Sequence, residues 1–193
     1  MSDIWVISDT HFNHANILTF KDGATGKLVR GDRFSSVKEM DEFMIERWNS
    51  VVKPGDKVYH LGDVMFGDRE YFQKLWPKLH GQKRLIVGNH DDIKYLSSGG
   101  FFAKVHMWRM FPEFGLVFSH VPLHKSSLKR HWIRKEDHTF LGYWWNRYKV
   151  RNKTMLNVHG HIHQNPSPCG PYRNMSVEAI DYTPVNIEDL RII

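Results

Sequence analysis

Ile4-Trp5-Val6-Ile7-Ser8-Asp9-Thr10-His11 decides how the rest of the chain is read. A short apolar run stops abruptly at a carboxylate and an imidazole, the pattern of a buried strand that delivers polar residues at its carboxyl end. The pattern then recurs. Residues 57–61 read as a second strand running into Gly62-Asp63, and 84–87 as a third running into Gly88-Asn89-His90-Asp91. Residues 103–110 and 115–119 read as two strands around a turn at Pro112 to Gly115, the second ending at Ser119-His120. Residues 155–158 lead into His159-Gly160-His161-Ile162-His163, and 174–181 alternate well enough for a last strand.

Helical signals fill the gaps. Ser36-Val37-Lys38-Glu39 has the form of a capping box, and Val37, Met40, Met44, Trp48 and Val51 follow at helical spacing. This helix is expected to end near residue 52, where Lys53-Pro54-Gly55-Asp56 breaks it. Asp68 can cap a second helix with Phe72, Leu75 and Leu79 inward, Pro77 giving a kink or an early end. Residues 20–34, with Gly23, Gly26 and Gly31 among charges, read as a loop. Strands and helices thus alternate, with the chemistry-capable residues at strand ends, where ligand sites gather in sheets flanked by helices.

Each polar cluster has a plain reading when taken alone. Asp9 and His11 stand two apart, so in extended backbone both side chains reach one side and one ion; a capping or surface pair would look the same. Gly62-Asp63 can be a turn, although a carboxylate can also bridge two cations. Asn89 offers a neutral carbonyl oxygen, His90 an ionisable ring, and Asp91 a group to orient that ring. His161 and His163 repeat the two-residue spacing, and His120 alone would pass for an edge histidine. Together the clusters supply three carboxylates, one amide and five imidazoles, each set after an expected strand.

In that order the clusters resemble the signature of the calcineurin-like metallophosphoesterases, in particular the small single-domain bacterial and phage members. The resemblance implies an α+β fold, a four-layer αββα sandwich with two mixed β-sheets, over a single domain of 193 residues. It implies two divalent transition-metal ions, Mn first, with Fe, Zn, Ni or Co as alternatives suited to mixed N/O ligands. Asp9, His11 and His163 would hold the first ion, Asn89, His120 and His161 the second, and Asp63 would bridge them. A metal-bridging hydroxide would attack phosphorus in line, with His90 protonating the leaving oxygen and Asp91 holding its ring. His14 would contact the substrate phosphate or hydrogen-bond within its loop. His60 and His159 alternate to the opposite side and read as structural. The expected activity is hydrolysis of a small phosphoester or nucleotide, as a phosphodiesterase or phosphatase. Two alternatives are a nuclease and a nucleic-acid-binding module with a non-catalytic metal site.

Composition narrows the setting. No apolar run approaches the roughly 18–20 residues that span a bilayer. The single cysteine, Cys169, cannot form an intramolecular disulfide, and with an N-terminus unlike a secretory signal this points to the cytoplasm. The net charge of +6 is local: residues 125–153 carry nine Lys/Arg against Glu136 and Asp137, leaving the rest near −1. Trp132, Phe140, Tyr143, Trp144, Trp145 and Tyr148 interleave with those charges. Such a segment suits nucleic acid or another anion as a lid beside the site; a satellite core or an oligomer interface would use the same residues.

Overall fold

A computed structural model of the chain describes residues 2–130 and 153–190. The strands are β1 (Ile4–Ile7), β2 (Lys57–His60), β3 (Gln82–Ile86), β4 (Lys104–His106), β5 (Trp108–Phe111), β6 (Leu116–Ser119), β7 (Lys129–Arg130), β8 (Lys153–Thr154), β9 (Leu156–His159), β10 (Tyr172–Asn174) and β11 (Val185–Asn186). The α-helices are α1 (Val37–Val51), α2 (Arg69–Leu75) and α3 (Ile93–Ser98). One main sheet has the order β11-β1-β2-β3-β4 and the second β10-β9-β6-β5, while β7 and β8 pair antiparallel as a separate two-stranded ribbon. Both main sheets are mixed: β1 to β4 run parallel with β11 antiparallel at the edge, while β6, β9 and β10 run parallel with β5 antiparallel.

The two-residue period of the strands sorts their side chains between two cores. Val6, Tyr59 and Ile86 point toward the second sheet and meet Phe111, Leu116, Phe118 and Val158. Ile7, Val58 and Leu85 point the other way, onto Met40, Met44 and Trp48 of α1 and Phe72 and Leu75 of α2. The first sheet is therefore covered on both faces, and β1 to β3 are most buried toward their carboxyl ends, as at Leu85 and Ile86 of β3. The Ser36 side chain accepts from the Glu39 N–H at 3.2 Å and starts α1, but Glu39 reaches back to Ser35 rather than Ser36. Asp68 caps α2 through the Glu70 N–H, and the helix tightens into a 3₁₀ turn at Trp76–Lys78, where Pro77 stands.

Two strand assignments need correction. The expected strand at 103–110 is two strands in different sheets, because the chain leaves β3's side at Met107 and pairs with β6 from Trp108 onward. The expected strand at 174–181 ends at Asn174. There the Asn174 side chain accepts from Ser176 N–H at 2.9 Å and turns the backbone into a 3₁₀ helix, Val177–Ala179. The aromatic stretch of the basic segment, 131–152, lies outside the described residues.

Candidate metal centre

The carboxyl ends of β1, β2 and β3 lie side by side because the strands are parallel, and those of β6 and β9 face them from the other sheet. Backbone bonds carry this alignment past the strands: Asp9 N–H donates to Gly62 O at 3.0 Å, His11 N–H to Asp63 O at 3.1 Å, and Gly160 N–H to His120 O at 2.9 Å. Two groups of ligand-capable atoms result. Asp9, His11 and His163 form one, and Asp63, His120 and His161 the other, the atoms within each lying within 4.8 Å of one another. The Asp63 carboxylate faces both, 3.4 Å from His120 Nε2 and 3.9 Å from His11 Nε2. Asn89 joins the second group, its Oδ1 lying 2.8 Å from His120 Nε2.

The backbone delivers these residues differently from the extended geometry assumed for the sequence. Asp9, His11, Asp63, His161 and His163 all have positive φ, between 48° and 71°. Left-handed backbone at non-glycine residues costs on the order of 1–3 kcal/mol each and persists only where the surroundings impose it. Five such residues around one centre mark a functional site. The turn at His161 also separates it from His163, so the two histidines enter different groups instead of sharing one side.

Protonation and partners prepare the nitrogens for a cation. His11 is buried with neither ring nitrogen hydrogen-bonded, and burial, with Arg30 and His163 nearby, lowers its pKa to about 2. A neutral, unpartnered imidazole inside a protein is costly unless something else completes it, and a divalent ion fits the set of imidazoles, carboxylates and one amide. His120 Nδ1 faces the Leu61 carbonyl at 2.7 Å, and His163 Nδ1 faces Glu178 Oε1 at 3.0 Å. With those nitrogens donating, each Nε2 faces the centre. Burial opposes charge on both rings, yet Asp63 and Asp9 raise the His120 pKa and Glu178 raises that of His163, so a bound ion would displace protons there. Burial opposes the charge on Asp63, yet the bond and charge of His120 and the His90 N–H hold its pKa at about 2. Burial raises the Asp9 pKa against the pull of His163 and His120.

Arg30 and Glu178 escaped the sequence reading. Arg30 is fully buried. Its guanidinium donates to the Asp9 carbonyl at 2.6 Å, to the Thr10 carbonyl at 2.9 Å and to Glu178 Oε1 at 2.7 Å. Glu178 in turn holds the His163 ring, so one arginine braces the backbone of β1's end and the ring of a ligand candidate. Burial works against the Glu178 charge, but Arg30 and His163 bring its pKa to about 2.

The remaining candidates divide. His90 is exposed, its ring 5.2 Å from Phe66 and 6.3 Å from His11, and its N–H donates to Asp63 Oδ1 at 2.9 Å. Asp91, expected to hold the His90 ring, instead accepts backbone N–H groups of Gly88 at 2.7 Å, Val64 at 2.9 Å and Asp63 at 3.1 Å. It fastens two loops together, and among the described residues no hydrogen bond reaches the His90 ring. The His14 ring stacks on Phe66 at 4.2 Å, with Nδ1 buried and unpartnered. His60 pairs with Thr10 Oγ1 at 2.9 Å and His159 with Ser167 Oγ at 3.1 Å, both outside the ligand groups.

The calcineurin-like phosphoesterase family profile matches residues 2–183. An uncharacterized protein of Methanocaldococcus jannaschii is 29% identical over 97% of this chain and 89% of its own length. The gene 66 protein of Mycobacterium phage L5 is 27% identical over 84% of this chain and 78% of its own. The crystal structure of AQ665 from Aquifex aeolicus, a protein of unknown function, superposes with a TM-score of 0.66 at 27% identity, covering 98% of both chains.

Proposed function

Because the chain belongs to the calcineurin-like phosphoesterase family, and so is a metal-dependent phosphoester hydrolase, we propose that it works through two divalent ions on a small phosphoester or nucleotide. The observation that carries the reading is the pair of three-residue donor groups facing one carboxylate, Asp63. Asp9, His11 and His163 would hold one ion, Asn89, His120 and His161 the other, and Asp63 both; Mn suits this donor set. When bound, the ions supply Lewis-acid stabilisation of the phosphoryl oxygens and a nucleophile at neutral pH.

The protein's own residues do the rest. His90, exposed beside the centre, gives a proton to the leaving oxygen. Asp91 keeps the Gly88 and Asp63 loops in register, so that the His90 backbone stays bound to Asp63. Arg30 and Glu178 set the orientation of His163. His14, whose ring lies flat against Phe66, would meet the substrate phosphate. The chain forms one domain in this account, and its lone exposed Cys169 suits a reducing cytoplasm.

The test is hydrolysis of bis-p-nitrophenyl phosphate and p-nitrophenyl phosphate by the Mn-loaded protein, each compared with Asp63→Ala. Metal-dependent cleavage lost in the variant supports the reading, and the preferred ester separates diesterase from monoesterase. The nine basic residues of 125–153 favour a second reading, a nuclease. Strand cleavage whose affinity falls steeply with salt would select it, because phosphate contacts release counterions.

A further inference from the structure

His90 borders a cavity of about 200 Å³ whose other walls include Phe66, Arg69, Asp92, Tyr95 and Leu96. The volume lies below the roughly 300–1,000 Å³ of sites for drug-sized ligands, so it suits one compact group. Several of the polar groups on its walls are already engaged. Arg69 is ion-paired with Asp92. Asp92 Oδ1 also accepts the Tyr95 N–H at 3.0 Å, and the Tyr95 hydroxyl donates to the Arg69 carbonyl at 3.3 Å. The Arg69 guanidinium lies 4.6 Å over the Tyr95 ring. On the opposite side the Phe66 ring is 5.2 Å from His90. The walls offer a ligand polar and apolar surface in about equal measure, and two aromatic rings and a guanidinium plane make much of it flat.

We propose that this cavity holds the leaving group of the substrate and selects a planar aromatic one. The inference rests on the reading above, in which His90 protonates the leaving oxygen. The ester P–O bond breaks as a water oxygen bonds to phosphorus, and the proton from His90 makes a neutral alcohol. That alcohol departs on the His90 side, where the cavity opens. A ring buries its faces there by stacking and needs few new hydrogen bonds. A polyhydroxylated leaving group such as glycerol or a sugar would give up bonds to water and find Asp92 and Tyr95 already bound.

The test compares benzyl phosphate with isobutyl phosphate, two primary-alcohol esters, in the Mn-loaded full-length protein. Calorimetric binding of benzylphosphonate and isobutylphosphonate supplies a readout independent of turnover. The expected result is a preference for the benzyl compounds of about tenfold in kcat/KM and in affinity, equivalent to about 1.4 kcal/mol. Tyr95→Leu should bring that ratio below about threefold, the remaining apolar contact being worth less than the stacked ring. Arg69→Ala, at a largely exposed position, should lower the ratio likewise if Tyr95→Leu does not fold. Equal treatment of benzyl and isobutyl compounds, or a ratio unmoved in both variants, would overturn the inference while leaving the phosphoesterase reading intact. Cleavage of neither ester nor of bis-p-nitrophenyl phosphate would remove that reading, and the inference with it.

Discussion

His11 shows at a single residue what the centre is built to do: its ring is buried, neutral and without a hydrogen bond on either nitrogen. His90 has the opposite character, exposed and free to meet a substrate. His90→Ala should therefore leave about two metal ions per chain by elemental analysis while kcat falls ~100-fold or more, the scale of a lost acid catalyst. Equal rates would take His90 out of the mechanism. Glu178→Gln should weaken metal binding by about 10- to 100-fold, the range for partners that orient a ligand histidine. Because Glu178 touches His163 alone of the six grouped ligands, calorimetry should show one of two binding events weakened and the other kept. The ligand candidates were legible because their types are distinctive and each follows an apolar strand. Arg30 and Glu178 were not, since they meet across 148 positions and sit in a glycine-bearing loop and a short turn without periodicity.

Among the elements, strand ends and the close approaches between them position the chemistry. A Cβ on Gly88 would collide with Asp63 Oδ1 and N, and one on Gly160 with Ser8 Oγ and Asp9 Oδ2. Gly88→Ala should accordingly displace the Asp63 carboxylate, so that metal content drops while far-UV circular dichroism keeps the native helix and strand signal. A variant with full metal content would show that the loop yields more easily than the packing implies. Ser36→Ala offers a contrast: loss of the α1 cap should cost about 1 kcal/mol, read as a lower Tm with unchanged kcat. The α1 helix was legible from its apolar spacing and cap. The split at Met107 was not, because 103–110 reads as one strand whichever sheet its two halves join, and only the pairing partners distinguish β4 from β5. Nor did the alternation at 174–181 reveal that the Asn174 side chain bends the chain after its own strand.

For the whole molecule, two mixed sheets share one core between them and present a single rim of ligand candidates, while the charge excess gathers in 125–153. Among the described residues no helix is long and apolar enough to cross a membrane. Global stability should carry the signature of two buried acids working in opposite senses. Burial raises the Asp41 pKa to about 6, against its bond from Asn13 N–H and the nearby Tyr71 and Arg30. Its proton is therefore held more tightly folded than unfolded, and this contribution is full below the ordinary value of 3.8 and lost as pH rises through about 6. Asp41→Asn should raise stability at pH 8 by about 1–3 kcal/mol, an advantage that fades in urea melts as pH falls below 6. Glu178, held near 2, contributes above its ordinary 4.5 and loses that contribution as pH falls toward 2. A centre of two ions sharing Asp63 is tested by titrating the metal-free protein with Mn while following hydrolysis of bis-p-nitrophenyl phosphate. Activity should be absent without metal, saturate at two equivalents per chain, and fail to appear in Asp63→Ala; saturation at one equivalent, or full activity in the presence of a chelator, would contradict it.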